Sequence, residues 1–345
     1  MNSMAWVALL AVAAWSAFGP PARAADDEPR YKQFPTKEAP SGKASRKFTF
    51  TYTAKVEKVP DGAKKLELWL PVPQNSKHQD ISDFVFSVAP HTQSVEPAYG
   101  NKIAYWKFEG DAVKPLEIVL TFTCKRKEIA VPDLTKEKPI EEKELERLRP
   151  FLEGNKLLLV GDPVRDVVKS AAGEAKAPRE IAKAAYDYVL ANMKYSKDGL
   201  GWGNGSTEWA CASKYGNCTD FHALFQSIVM TKGVPAKFEM GVPLAEDKHA
   251  GDIGGYHCWA KFYLGNVGWV PVDCSEAWKN KEKYGAYYYG NLTPSRVQFT
   301  SGRMYDLVPK QAGEPLNYFI YPYAEADGKP VAAAKAFKFK DVGAD

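Results

Sequence analysis

Cys218, His257 and Asp273 are the residues of this 345-residue chain whose types and spacing fit a chemical task. Cys218 stands in Tyr-Gly-Asn-Cys-Thr-Asp (215–220), just ahead of Phe221, Leu224, Phe225, Ile228 and Val229. Those five recur at the 3.6-residue period of an amphipathic helix with one stripe on a core. A thiol at a helix N-terminus meets unpaired backbone N–H groups and the positive end of the helix dipole, and both favour the thiolate. Asn217 and Thr219 are alternative caps. His257 opens the strand-like run His-Cys-Trp-Ala-Lys-Phe-Tyr-Leu, Gly265 and Asn266 mark a turn, and residues 269–272 form a second strand ending at Asp273. A hairpin centred near Gly265 sets His257 opposite Asp273, with Cα atoms roughly 5 Å apart. A thiol nucleophile, an imidazole base and a carboxylate that orients the base are the parts needed for acyl transfer through a thioester. His222, four residues after Cys218 on the same helix face, is the alternative base, but no carboxylate in the sequence is evidently placed to hold it.

Gly-Asn-Cys-Thr-Asp (216–220), Gly-Val-Pro-Ala (233–236), Tyr-His-Cys-Trp (256–259) and Gly-Trp-Val-Pro-Val-Asp (268–273) recur in an order that resembles the transglutaminase-like superfamily, in its bacterial exported branch. The resemblance extends from about residue 179 to 323. It implies a papain-like arrangement in which a helix carrying Cys218 packs on an antiparallel sheet carrying His257 and Asp273. The backbone N–H of Cys218 is then a donor to the oxyanion, and an indole N–H from Trp202 or Trp209 is a candidate second donor. Asn217, Trp259 and His249, with Asp247 and Lys248 on the polar loop 245–255, are candidate substrate contacts. The activity implied is thiol-dependent acyl transfer on a protein, peptide or cell-wall peptide. Hydrolysis, as in an amidase or peptidase, is favoured over protein cross-linking, because a glycine-rich segment (199–205) and a polar loop suggest an open cleft and no acidic cluster resembles a calcium site. A catalytically silent peptide- or glycan-binding module of the same fold is the non-enzymatic alternative.

The elements that position these residues give an α+β reading with five segments. Residues 1–24 have the short apolar run and the Ala-Arg-Ala end of a signal peptide, which implies export to the periplasm or beyond. Residues 25–45 read as a flexible lead-in. Residues 46–126 alternate apolar and polar positions over 48–56, 66–70, 84–88, 103–108 and 116–124, the pattern of an antiparallel β-sandwich, with Cys124 as a core residue. Residues 127–160 are a charged connector with a solvated helix near 140–149. Residues 161–345 are the catalytic domain, which opens with helices carrying Pro163 and Pro178 in their first turns. Residues 316–323 and 332–340 read as two strands joined across Asp327-Gly328 at the edge of the catalytic sheet.

A formal charge of +4, lowered by one if Arg23 leaves with the signal peptide, supplies no basic face for nucleic acid. No segment calls for stable membrane insertion or for a cofactor. Five cysteines in an oxidising compartment leave at least one unpaired, and a disulfide among Cys211, Cys258 and Cys274 would brace the site. Cys211, Cys218, His222, His257, Cys258 and Cys274 are also zinc-ligand types, but they contain no Cys-x-x-Cys pair, so no metal is expected.

Overall fold

The computed structural model describes residue 40, residues 42–131 and residues 133–343; the signal-peptide segment lies outside the described residues. Two five-stranded antiparallel sheets face each other across one hydrophobic cluster. In spatial order the first sheet is Ala250–Ile253, Ala334–Asp341, Ser45–Val56, Leu116–Lys127 and Gln79–Phe86. The second is Lys329–Val331, Tyr323–Ala326, Lys65–Val72, Lys102–Glu109 and Thr92–Val95. The alternation in the sequence is the cause: Phe48, Phe50, Tyr52, Ala54 and Val56 all point inward and are buried. Phe50 stacks on Phe122 at 5.2 Å between ring centroids, and Tyr52 meets the ring of Phe337 edge-on at 4.7 Å. Burying one such aromatic contributes about 1.5–3 kcal/mol.

The C-terminal strands correct the expectation that placed them on the catalytic sheet. Asp327 and Gly328 do form the turn of a hairpin, both with positive φ, but it joins Tyr323–Ala326 to Lys329–Val331. That hairpin pairs with Lys65–Val72, and Ala334–Asp341 pairs with Ser45–Val56. The two ends of the chain therefore complete the sandwich together, because each supplies an alternating strand whose apolar face fits the same core. The polar loop expected at 245–255 contributes a strand to it as well, through Ala250–Ile253 against Ala334–Asp341.

The catalytic sheet has four antiparallel strands in the order Gly268–Val272, His257–Leu264, Ala236–Pro243 and Arg296–Ser301. On one face Phe238, Met240, Val242, Val297 and Phe299 join the sandwich core. The strand period of two puts Lys237, Glu239, Trp259, Lys261, Arg296 and Gln298 on the opposite face. The helix Cys218–Thr231 packs against this sheet and against Pro178–Asn192, which starts at Pro178 as its sequence predicts. The connector is fastened rather than free: Ile129–Ala130 pairs with Asn291–Leu292, and Phe151 meets Trp269 at 4.9 Å. Its helix, Glu142–Leu148, keeps only Leu148 buried.

Candidate active site

The nucleophile helix begins on a reciprocal cap. Asn217 Oδ1 accepts the Thr219 N–H at 2.8 Å, while Asp220 Oδ2 accepts the Asn217 N–H at 2.9 Å. Asp220 also accepts the N–H groups of Gly203 and Gly205 at 2.7 and 3.0 Å, so the glycine-rich loop is tied to the same turn. Gly216 admits no side chain, since a Cβ there would stand 2.2 Å from Asp220 Oδ2. These bonds set Cys218 as the first residue of the helix, 3% exposed. The helix departs from the amphipathic expectation, because every residue from Cys218 to Met230 is buried. It runs between the sheet and neighbouring helices; Thr219 Oγ1 meets Tyr256 Oη at 2.8 Å, while Gln226 Oε1 is buried with no hydrogen-bond partner among the described residues.

His257 Nε2 lies 2.7 Å from Asp273 Oδ2, although the two residues are not cross-strand partners. The ladder pairs Ala260 with Val272 and Leu264 with Gly268, which puts the register two residues away from the expected one. The turn spans residues 265–267, with Asn266 at φ 67°, instead of centring on Gly265. Asp273 stands just past the second strand as the cap of Cys274–Lys279, and its side chain reaches back to the imidazole. With Nε2 so engaged, Nδ1 is the ring nitrogen of His257 not taken by Asp273, and the imidazole and the Cys218 sulfur are close enough to shift each other's pKa.

The electrostatics follow from burial and pairing. Burial opposes the Cys218 thiolate, but the adjacent Cys258 thiol and the His257 imidazolium hold the Cys218 thiol well below its ordinary range. Burial likewise opposes the His257 cation, but the Asp273 carboxylate and the Cys218 sulfur raise its pKa to about 9. For Asp273 the burial cost is overcome first by His257 and then by Arg296, whose Nη1 donates to Oδ2 at 3.0 Å, so the carboxyl stays far below the usual carboxylate range. Asp273 Oδ1 takes the Glu276 N–H at 3.1 Å and the Ser275 hydroxyl at 3.2 Å.

His222 has a different task. Its Nε2 accepts the Cys274 N–H at 3.0 Å and burial holds its pKa down, so it is a neutral ring bracing the start of the helix after Asp273. Cys258 Sγ sits 3.6 Å from His222 Nδ1 and 3.8 Å from Thr219 Oγ1, while burial and the neighbouring Cys218 push its own thiol well up. All five cysteines are free thiols, so no disulfide joins any two of Cys211, Cys258 and Cys274. Among the described residues no group of three or more His, Cys, Asp or Glu is placed to hold a metal ion.

A cleft of about 640 Å³ opens over Cys218, lined by Tyr195, Trp202 and Asn217 and faced by Tyr256, Tyr318 and Tyr321. Of the candidate contacts, Asn217 is there. Trp259 is not: it is fully buried, donates to Glu239 Oε2 at 2.7 Å and carries the Arg296 guanidinium 4.8 Å above its ring. His249 is not either, since its ring turns to Asp341 at 3.0 Å on the sandwich. Neither indole N–H offered for an oxyanion is free in this structure. Trp202 donates to the Gly199 carbonyl at 3.0 Å, and Trp209 to the Tyr215 carbonyl at 3.2 Å.

The residues that sequence reasoning missed are Asp220, Tyr256, Arg296 and Arg303. Asp220 was open to discovery, because Asn-x-x-Asp just before an apolar run is a capping-box signature. Arg303, which donates to the carbonyls of Gly205 and Asn204 at 2.9 and 2.6 Å, and Arg296 lie far along the chain and carry no local signal.

Residues 165–274, which contain Cys218, His257 and Asp273, match the model of the transglutaminase-like superfamily and form a transglutaminase-like domain. Over 96% of its length the chain is 26% identical to an uncharacterized protein of Haemophilus influenzae, 97% of which is covered. A crystal structure of a candidate cysteine protease from Cytophaga hutchinsonii shares the fold, with a TM-score of 0.59 at 13% identity over 87% of this chain and 92% of that one. Among the described residues no helix is long and apolar enough to cross a membrane.

Proposed function

We propose that this protein is an exported thiol hydrolase of peptide or amide bonds, with Cys218 as nucleophile, His257 as base and Asp273 as the group that orients the base. The observation that carries the reading is a single one: an imidazole whose Nε2 lies 2.7 Å from a buried carboxylate is also close enough to a thiol on the first turn of a buried helix to lower the pKa of that thiol. The proton of Cys218 passes to His257, and the thiolate adds to the amide carbonyl. The Cys218 backbone N–H, at the positive end of the helix, supports the oxyanion. The C–N bond breaks, the amine leaves with a proton from His257, and a thioester remains on Cys218. Water then attacks, with His257 as base, and the acid is released.

Hydrolysis is favoured over amine transfer because the cleft has wet margins. Asn204 and Gly254 on its two sides are exposed, and transfer to an amine needs a site that excludes water at about 55 M. The cleft also has aromatic walls and, among the described residues, Lys197 as its one charged side chain apart from the nucleophile, which suits a peptide with neutral or acidic side chains. Cell-wall peptides are one such class within reach of an exported protein.

The test is a screen of peptide, isopeptide and cell-wall peptide libraries with the purified protein, with Cys218→Ala as blank and a labelled primary amine at millimolar concentration. Free carboxylate is expected to form faster than labelled product. If the amine captures most of the acyl group, the enzyme is a cross-linking transferase with the same three residues. If wild type and Cys218→Ala are equally silent while one library member binds both, the module only binds.

A further inference from the structure

A second cavity, of about 590 Å³, shares no lining residue with the cleft. It lies where the strand Leu116–Lys127 of the sandwich meets the polar face of the catalytic sheet, and Arg126 forms its inner wall. The Arg126 side chain is 1% exposed, yet only Nη1 has a partner, Gln79 Oε1 at 3.3 Å. Its Nε and Nη2 have no hydrogen-bond partner among the described residues. Gln79 has little more to give, since its Oε1 already takes the Gln298 N–H at 2.8 Å. Glu239, the carboxylate on the same wall, is committed elsewhere: Lys261 and Lys237 stand 2.8 and 3.2 Å from Oε1, and Trp259 donates to Oε2 at 2.7 Å. A buried guanidinium near a carboxylate but with none in hydrogen-bond reach among the described residues is costly and marks a place where an anion would be stabilised.

The surroundings have the same sign. Lys77, Lys136, Lys237 and Lys261 line the cavity with Arg126, against the carboxylates of Glu239 and Asp133. The Asp133 side chain is turned to its own turn, where it accepts the Thr135 N–H at 2.9 Å. The local potential shows in His78, whose pKa burial, Arg126, Lys261 and Lys77 together push down to about 4. An excess of positive charge favours a doubly charged anion over a monocarboxylate, and the planar fork of arginine matches two oxygens of one group. The space exceeds what an inorganic ion fills and falls within the range of about 300–1,000 Å³ usual for small-molecule sites. Ile129, Val267 and Trp269 offer an apolar wall for the rest of such a molecule.

We propose that this cavity binds a phosphorylated small molecule, with the phosphate on Arg126 and Lys261 and an apolar or aromatic body against Trp269. The assignment stands on its own residues and is independent of the acyl-transfer reading. It is tested by isothermal titration of the purified protein with phenyl phosphate, inorganic phosphate and benzoate at constant ionic strength set with sodium chloride. Phenyl phosphate is expected to bind saturably at one site, inorganic phosphate about tenfold more weakly and benzoate more weakly still. Arg126→Met should abolish binding, and Arg126→Lys, which keeps the charge without the fork and guards against a folding failure, should weaken it at least tenfold. Cys218→Ala should bind as the wild type does. Absence of saturable binding by either phosphate overturns the proposal, as does benzoate binding more tightly than phenyl phosphate. So does an Arg126→Lys variant with wild-type affinity.

Discussion

The polar face of the catalytic sheet has two ends, and they treat buried charge in opposite ways. Next to the cleft, Asp273 is buried with both oxygens occupied by His257, Arg296, Ser275 and the Glu276 N–H. At the far end Arg126 is buried just as deeply, with two of its nitrogens unmatched and no carboxylate in ion-pair reach among the described residues, whereas Arg296 leaves only Nε unmatched and is ion-paired with Asp273. Trp259 stands between them, bonded to Glu239 on one side and covered by Arg296 on the other. The paired end holds one geometry, which a proton relay requires. The unpaired end stores an unmet interaction, which a binding site requires.

The largest expected effect belongs to the paired end. His257→Ala should lower acyl-enzyme formation on the order of 10⁴-fold or more, and Asp273→Asn should leave a small remainder, because Asp273 only orients and stabilises the imidazole. Rapid-quench trapping of the thioester measures both, and full activity in a folded His257→Ala protein would hand the base role to His222. The same pair predicts the reactivity of the thiols. Limited labelling with iodoacetamide at neutral pH should fall on Cys218 before Cys211, Cys258 or Cys274, since burial raises the pKa of the other three.

Stability separates the two ends next. Arg296→Met removes one partner of a buried ion pair and should cost about 3–5 kcal/mol in urea unfolding. Arg126→Met, in anion-free buffer, should leave stability unchanged or raise it by about 1 kcal/mol, because it removes a buried charge that had no counter-ion. Equal losses in the two variants would mean that the two ends do not differ.

A smaller effect appears on the pH axis. His257 holds its proton more tightly folded than unfolded, its pKa rising from 6.5 to about 9. Its contribution to stability is therefore complete below the unfolded value and is lost as pH rises through about 9. Turnover should fall over the same alkaline interval as the imidazolium of the ion pair discharges. His257→Gln should flatten the stability–pH curve there, and an unaltered curve would remove His257 from the pair.

The chain alone named the candidate residues and much of the frame that carries them. Cys218 before a helical period, His257 at a strand start and Asp273 past a turn are local patterns, written within a few residues of each side chain. The alternating strands at 48–56 and 103–108 were legible for the same reason. What the sequence left undecided depends on residues far apart meeting. The hairpin register shifted by two, yet His257 and Asp273 still met, because a side chain at a strand end is not bound to its ladder partner. Trp259 has the composition of a substrate contact, but the neighbouring Glu239 and Arg296 enclose it. Residues 316–323 and 332–340 read as strands at the edge of the catalytic sheet, but the strands found, Tyr323–Ala326 and Ala334–Asp341, pair with Lys65–Val72 and Ser45–Val56 in the sandwich. Strand partners, counter-ions and cavities are properties of long-range packing: an alternating strand carries its apolar face in its own sequence, but which sheet receives it, and whether a buried arginine finds an anion, is decided only when the whole core closes.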